Sequence, residues 1–289
     1  MNKNRNQRAK IAQETLDILN QGFYQNQQQE IIYIQKELQN AINNSIHYSE
    51  NDFSRVSSQL KKKKVSENQN QIQFEINNET TLNAASRLVS QQGFNKVLCL
   101  NFASAKNPGG GFLNGSQAQE ESLARATGLY PCISQMTEMY EKNRYYGSCL
   151  YLDDMIYSPQ IPVIRDDDDK LLDKPFLISI LTVPAVNAGA VRKNGKKQEI
   201  NKIESTMLGR TEKLLSVAAT HDYKGLVLGA WGCGVFKNNP EDVAGYFHYH
   251  LIENHLFTGL FEKFFFAVLD NTKDENIINA FNTKFELAN

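Results

Sequence analysis

Four stretches of the chain are mainly apolar and continuous rather than alternating: KVLCLNFA (96–103), FLISILTVPA (176–185), GLVLGAW (225–231) and KFFFAVLD (263–270). A strand with one wet face alternates apolar and polar positions, so continuous runs rich in Leu, Val, Ile and Phe predict strands covered on both faces. Helical periodicity fills the gaps, over 205–220 and 239–253. Such alternation predicts an α/β fold, a mixed central sheet sandwiched by helices.

The first part of the chain reads differently. RAKIAQETLDIL (8–19) places Ile11, Thr15, Leu16 and Leu19 on one helical face, and EIIYIQKELQNAI (30–42) does the same with Ile31, Ile34, Leu38 and Ile42. IQFEI (72–76) alternates as an edge strand should, and a helix follows through TTLNAASRLVSQQ (80–92). Residues 1–92 are therefore expected to form a helical accessory region packed on a core of residues 93–289, as one compact unit. No internal repeat is visible.

Composition narrows the classes. Asn and Gln crowd LNQGFYQNQQQE (19–30) and SENQNQIQ (66–73), which predicts solvated surface or loop. The polar segment 50–73 is expected to hang in solvent, and the basic run 61–64 to be an exposed loop. With 31 basic and 32 acidic residues, the net charge of -1 supplies no overall field toward DNA or an anionic membrane. A polyanionic ligand then needs a local site. The four cysteines form no C-x-x-C pair, the N-terminus lacks a signal-peptide core, and no apolar run approaches a membrane span. An intracellular protein follows, cytoplasmic, nuclear or both, without structural disulfides.

In open α/β sheets ligands gather beyond the carboxyl ends of strands, and two glycine-rich segments fall there. NPGGGFLNGSQAQEES (107–122) follows the first apolar run, and GAWGCGVFKNNP (229–240) begins at the end of the third. Successive glycines let the backbone turn its N–H groups inward and approach a bulky anion closely. Gly229, Gly232 and Gly234 suit a diphosphate on this reading, with Asn239 and Pro240 starting the next helix; a tight strand-to-helix turn is the plain alternative.

Ser116 and Gln119 fit a capping box, which puts Glu120 and Glu121 in the first turns of a helix, where the dipole welcomes acids in any case. Neighbouring helical residues project about 100° apart. The two glutamates therefore cannot flank one bond as a spaced acid and nucleophile. One should do chemistry and the other position substrate, with a nearby carboxylate and ligand phosphates raising the pKa of the working group.

NPGGG-x7-QEE together with GAWGCGVFKNNPEDVA resembles the microbial-type poly(ADP-ribose) glycohydrolases, which carry a GGG-x(6-8)-QEE signature on a macrodomain fold. RAKIAQETLDIL, ILTVPAVNAGAVR (180–192) and FAVLD extend the similarity over nearly the whole chain. The resemblance implies a macrodomain-like core and hydrolysis of the ribose-ribose O-glycosidic bond, releasing ADP-ribose without metal or redox cofactor. It implies Glu121 as general acid/base and Glu120 as a hydrogen-bonding partner of the adjacent ribose. Gly109, Gly110 and Gly111 would surround the distal ribose, with Asn107 on a ribose hydroxyl and Gln119 among the ligand-binding residues. Gly232, Cys233, Gly234, Val235 and Phe236 would form the diphosphate loop, the Phe236 ring lying against the distal ribose. Implied partners are poly(ADP-ribose), ADP-ribose and poly(ADP-ribosyl)ated proteins, bound by a monomer. The alternatives are a macrodomain that binds ADP-ribose without turnover, and a hydrolase of mono-ADP-ribosylated protein or ADP-ribose esters.

Other constellations yield less. His248, His250 and His255 have poor spacing for one metal on a helix. Asp166 to Asp169 read as a solvated loop, Trp231 as packing, and Cys233 as a thiol without a histidine partner.

Overall fold

The computed structural model describes residues 3–63 and 72–286. The chain opens with α1 (Arg5–Gln21), a small hairpin of β1 (Phe23–Gln25) and β2 (Ile31–Tyr33), and α2 (Gln35–Asn43). Then come β3 (Ile46–Tyr48), α3 (Phe53–Lys62), β4 (Gln73–Asn77) and α4 (Thr81–Ser86). β5 (Leu98–Phe102) leads through the first glycine loop into α5 (Gln119–Ala126), α6 (Leu129–Ser134) and α7 (Thr137–Tyr145). A long hairpin of β6 (Met155–Arg165) and β7 (Leu171–Val183) is followed by α8 (Ala188–Asn194), α9 (Lys197–Ile200) and α10 (Ile203–Thr220). β8 (Gly225–Leu228), α11 (Pro240–His248), β9 (Lys263–Ala267) and α12 (Asn276–Phe285) complete it.

Seven strands form one mixed sheet in the order β3-β6-β7-β5-β8-β9-β4. β7, β5, β8, β9 and β4 are parallel, β6 runs against β7, and β3 against β6. The continuous apolar runs follow from burial on both faces. Leu98, Leu100, Leu226, Leu228, Phe264 and Phe266 join the cluster that holds Leu214 of α10, Phe247 of α11 and Phe281 of α12. The intervening Cys99, Val227 and Phe265 join the opposite cluster with Leu82 of α4, Leu123 of α5 and Met139 of α7. Side chains alternate faces along each strand, and both faces are dry.

The four apolar runs are β5, β7, β8 and β9. β6 escapes the pattern because MIYSPQIPVIR carries Ser158, Gln160 and two prolines. The strand accommodates them at an irregularity between Ser158 and Ile161, where Gln160 takes φ 50°.

Residues 1–92 depart most from expectation. The expected edge strand over 72–76 is present as β4, but the opposite edge, β3, also comes from this segment and was not expected. The helix expected over 30–42 splits into β2 and α2, leaving Ile31 55% exposed. α1 buries Ala12, Thr15, Ile18 and Leu19, one step round from the face inferred above. The polar segment expected in solvent contains α3, whose Val56 and Leu60 belong to the main core cluster. Lys61 and Lys62 close that helix, and Lys63 pairs with Asp222 rather than floating in a loop. Lys64 and the Asn/Gln-rich stretch to residue 71 lie outside the described residues.

The acidic turn between β6 and β7 is solvated at Asp167 and Asp168, as expected, yet it is also tied to the body of the protein. Asp169 faces the buried Arg125 at 3.4 Å, and the Asp167 carboxylate accepts a hydrogen bond from the Thr80 hydroxyl.

Candidate active site

The carboxyl ends of β5, β8 and β9 open onto a cavity of about 470 Å³, walled by Thr81, Leu82, Phe102, Gln119, Phe236 and Leu269 among others. That volume suits a nucleotide-sized ligand. Gly109, Gly110, Gly111, Glu120 and Glu121 stand beside this cavity rather than in its wall.

The first glycine loop is shaped by what it touches. Gly109 and Gly110 adopt φ 71° and 59°, the left-handed region that side chains resist. A Cβ at Gly110 would overlap Glu121 Oε1 and come within 3.3 Å of Glu120 Oε2. Gly110 therefore presses bare backbone against both carboxylates. Next to it the Gly111 N–H donates to Glu121 Oε1 at 3.0 Å. The far side of the loop is clamped by α1, where Arg5 Nε donates to the Asn114 carbonyl and Arg8 Nε to the Gly115 carbonyl, both at 2.8 Å.

α5 starts without the expected capping box. Its N-cap is Ala118, with no side-chain cap, and Gln119 is already the first helical residue. Gln119 instead laces the helix to the strand: Oε1 accepts the Phe102 N–H at 2.8 Å, and Nε2 donates to the Leu100 carbonyl at 2.8 Å and to Thr81 Oγ1 at 3.1 Å. This amide sets how far Glu120 and Glu121 stand from the end of β5.

The two glutamates differ sharply in environment. Glu120 is 3% exposed; it accepts the Ser104 N–H at 2.7 Å and the Asn101 amide at 3.2 Å. Burial pushes its carboxyl up to about 8, with the neighbouring Glu121 adding to the rise and the N–H donors opposing it. Glu121 is half-buried. The raised pKa of Glu120 thus comes with its enclosure. Desolvation behind β5 is the largest cause.

A pH effect on stability follows. Unfolded, the Glu120 carboxyl ionises near its ordinary 4.5; folded, near 8. Between these values the unfolded state binds fewer protons, so stability falls as pH rises through the window. Melting temperatures of wild type and Glu120→Gln from pH 5 to pH 8 should diverge in favour of Gln as pH rises. Parallel curves would show that Glu120 does not hold its proton on burial.

The second glycine loop lines the cavity through Gly232, Cys233, Gly234, Val235 and Phe236. Gly229 abuts the Ala267 carbonyl, and Gly232, at φ 75°, sits where a Cβ would meet Ala185 and Asn238 at 2.6 Å. Asn238 Nδ2 closes the loop by donating to the Val186 carbonyl at 2.8 Å and the Gly232 carbonyl at 3.1 Å. Trp231 is fully buried, its Nε1 donating to the Val183 carbonyl at 3.0 Å. Burial pushes the Cys233 thiol up to about 12, so it supplies no thiolate. Asn239 caps α11 through the Glu241 N–H, with Pro240 following.

Asn107 is exposed and outside the cavity wall; its carbonyl accepts the Gly110 N–H at 3.0 Å, so its visible part is to close the turn. The histidines disperse: His248 pairs with Glu253 at 2.8 Å, and His250 with the Leu208 carbonyl at 2.9 Å. Among the described residues no three His, Cys, Asp or Glu side chains gather as a metal-ligand set.

Arg210 was not singled out from the sequence. It is 0% exposed and reaches Asp153 at 2.7 Å, the Pro184 carbonyl at 2.8 Å, and the Leu150 and Tyr151 carbonyls at 3.0 Å. Tyr151 is thereby held at φ 59°, its ring 6.0 Å from that of Phe236. Its signal was an arginine at a helical position three and four residues from Met207 and Leu214. Arg210→Met should destabilise the fold by about 2–3 kcal/mol, because three carbonyls lose their donor while Asp153 keeps Lys213; urea denaturation measures this.

Residues 12–166 match the family model described as the microbial-type PARG catalytic domain. The chain belongs to the microbial-type poly(ADP-ribose) glycohydrolase family. It is 37% identical to poly(ADP-ribose) glycohydrolase from Thermomonospora curvata, with a TM-score of 0.90 over 97% of this chain and 100% of that one. The same enzyme with the inhibitor ADP-HPD gives a TM-score of 0.87 at 37% identity, over 97% and 100% of the two chains. A Deinococcus radiodurans poly(ADP-ribose) glycohydrolase in complex with ADP-ribose is 38% identical, with a TM-score of 0.79 over 86% of this chain and 97% of that one. No curated protein matches the chain. The seven-stranded mixed sheet between helices is thus the macrodomain-like fold of microbial-type poly(ADP-ribose) glycohydrolases. Among the described residues no helix is long and apolar enough to cross a membrane.

Proposed function

We propose that the chain hydrolyses the ribose-ribose O-glycosidic bond of poly(ADP-ribose), releasing ADP-ribose, with Glu121 as general acid and base and Glu120 as the group that holds the adjacent ribose. The observation that carries this reading is the contact of bare Gly110 backbone with both carboxylates, beside a nucleotide-sized cavity. A sugar entering along the glycine loop meets Glu121, which is half-buried, before Glu120, which is enclosed.

Glu121 in its protonated form donates to the departing ribose oxygen as the distal anomeric carbon takes on oxocarbenium character. Glu121, now ionised, removes a proton from the water that attacks that carbon. One positioned acid/base contributes roughly 10²–10⁴-fold, so orientation by the two glycine loops must supply much of the rest. The N–H groups of the Gly232–Phe236 loop face the diphosphate in this pose, and the Phe236 ring supports the distal ribose. Residues 1–92 act with the core as one unit on this reading, since α1 clamps the catalytic loop and β3 and β4 edge the sheet. The macromolecular partners are then poly(ADP-ribosyl)ated proteins.

The test compares ADP-ribose release from poly(ADP-ribose) and from mono-ADP-ribosylated protein. Release from the polymer is the expected result. Release from the mono-modified protein alone, or from neither, overturns the assignment.

A further inference from the structure

The net charge of -1 conceals an uneven distribution. Between residues 188 and 202 stand five cations, Arg192, Lys193, Lys196, Lys197 and Lys202, against one acid, Glu199. Glu199 is occupied locally, accepting the Lys196 N–H at 2.9 Å. Arg192, Lys193, Lys196 and Lys197 are all exposed, on the last turn of α8 and the turn into α9.

This basic stretch is joined directly to the second glycine loop. The Gly189 N–H donates to the Phe236 carbonyl at 2.9 Å, and Arg192 Nη1 donates to the Lys237 carbonyl at 3.0 Å. Lys237 is itself exposed and held at φ 56°, immediately after Phe236. Lys106, just before the first glycine loop, lies 5.9 Å from the Tyr151 ring centroid, and the Tyr151 ring lies 6.0 Å from that of Phe236. Among the described residues, none of Lys106, Arg192, Lys193, Lys196, Lys197 and Lys237 forms an ion pair. The cavity wall, by contrast, carries the acids Glu79 and Asp167.

We infer that the α8–α9 face and Lys237 form a track for the polymer beyond the bond that is cut, with Lys106 at its near end. The inference rests on the proposed poly(ADP-ribose) reading of the site. In the proposed pose the Phe236 ring supports the distal ribose, so the next unit of the polymer begins beside Phe236. Every further unit carries a diphosphate, and the cations that meet it there have no acidic partner to displace. Charge complementarity and continuity with the site select this occupant. Neutralised phosphates release counterions, so the track contributes affinity that weakens with salt.

The test uses the full chain with Lys193, Lys196 and Lys197 replaced together by Glu, and a control with the same charge change at the exposed Lys10, Lys36 and Lys174. Substrates are long poly(ADP-ribose) and the two-unit fragment, at several salt concentrations. The track variant should raise KM for the long polymer about tenfold with kcat kept, and lower the salt slope of its log–log plot by about 2, at about 0.7 per lost contact. Kinetics on the two-unit fragment should change little, as should the control on either substrate. An unchanged KM and salt slope on long polymer overturns the inference, as does an equal loss in the control. Single-stranded DNA of equal charge that competes as strongly as the polymer also overturns it, by showing a surface for any polyanion. If wild type cleaves no polymer, the functional reading fails by itself, and binding of long poly(ADP-ribose) to the two charge variants still decides the track.

Discussion

Glu121→Gln is expected to lower ADP-ribose release by roughly 10²–10⁴-fold while ADP-ribose binds nearly as before. The amide keeps the shape of the carboxyl and can remain against the Gly111 N–H, which now meets Glu121 Oε1 at 3.0 Å. What it loses is the ability to give up and regain a proton. The ground-state pocket is left alone, so the loss should appear in kcat with KM little changed. Calorimetric titration with ADP-ribose and a turnover assay on one preparation separate the two effects. Turnover at a near wild-type rate would falsify the assignment of Glu121, and attention would pass to Glu120.

Gly110→Ala should have a comparable effect without touching either acid. A methyl group there overlaps Glu121 Oε1, lies 3.0 Å from Glu121 Cδ and 3.3 Å from Glu120 Oε2, and sits on a residue at φ 59°. The nearest obstacle is the end of a movable side chain, so the fold can absorb the change by swinging the Glu121 carboxylate away. Displacement of a reacting group by about 1 Å can cost on the order of 10²-fold. Activity should therefore fall by about that factor or more, while the melting temperature shifts by only a few degrees. The decisive comparison is with Gly209→Ala in α10, away from the site, where a Cβ meets no atom within 4 Å and φ is not in the left-handed region. If both variants lose activity equally, close approach at Gly110 is not what positions Glu121.

These two substitutions show where the sequence was informative. The triple glycine beside paired glutamates was legible as a unit because glycine spacing and helix geometry are local matters. Roles within the pair were less legible. Glu120 and Glu121 are neighbours of one residue type, and only the packing of α5 against β5 encloses the first and leaves the second half-buried. Gln119 illustrates the same limit. Its spacing from Ser116 fitted a capping box, yet its side chain finds better partners in the Leu100 carbonyl and Phe102 N–H at the end of β5. The Arg192–Lys197 stretch was hidden by a balanced charge total, since net charge says nothing about distribution.

By itself the sequence determined the four apolar strands, the helices between them and the two loops at their carboxyl ends, because a strand dry on both faces and a backbone free of Cβ leave direct marks on composition. It also carried the signature that places the chain in its family. The tertiary structure alone decided that residues before 92 also supply the opposite sheet edge, β3, that α3 is core, and that the acidic turn 166–169 is anchored to Thr80 and Arg125. It alone separated the enclosed carboxyl from the accessible one. Each of these depends on partners far apart in the chain, and desolvation, which raises the Glu120 pKa, belongs to the assembled interior rather than to any stretch of residues.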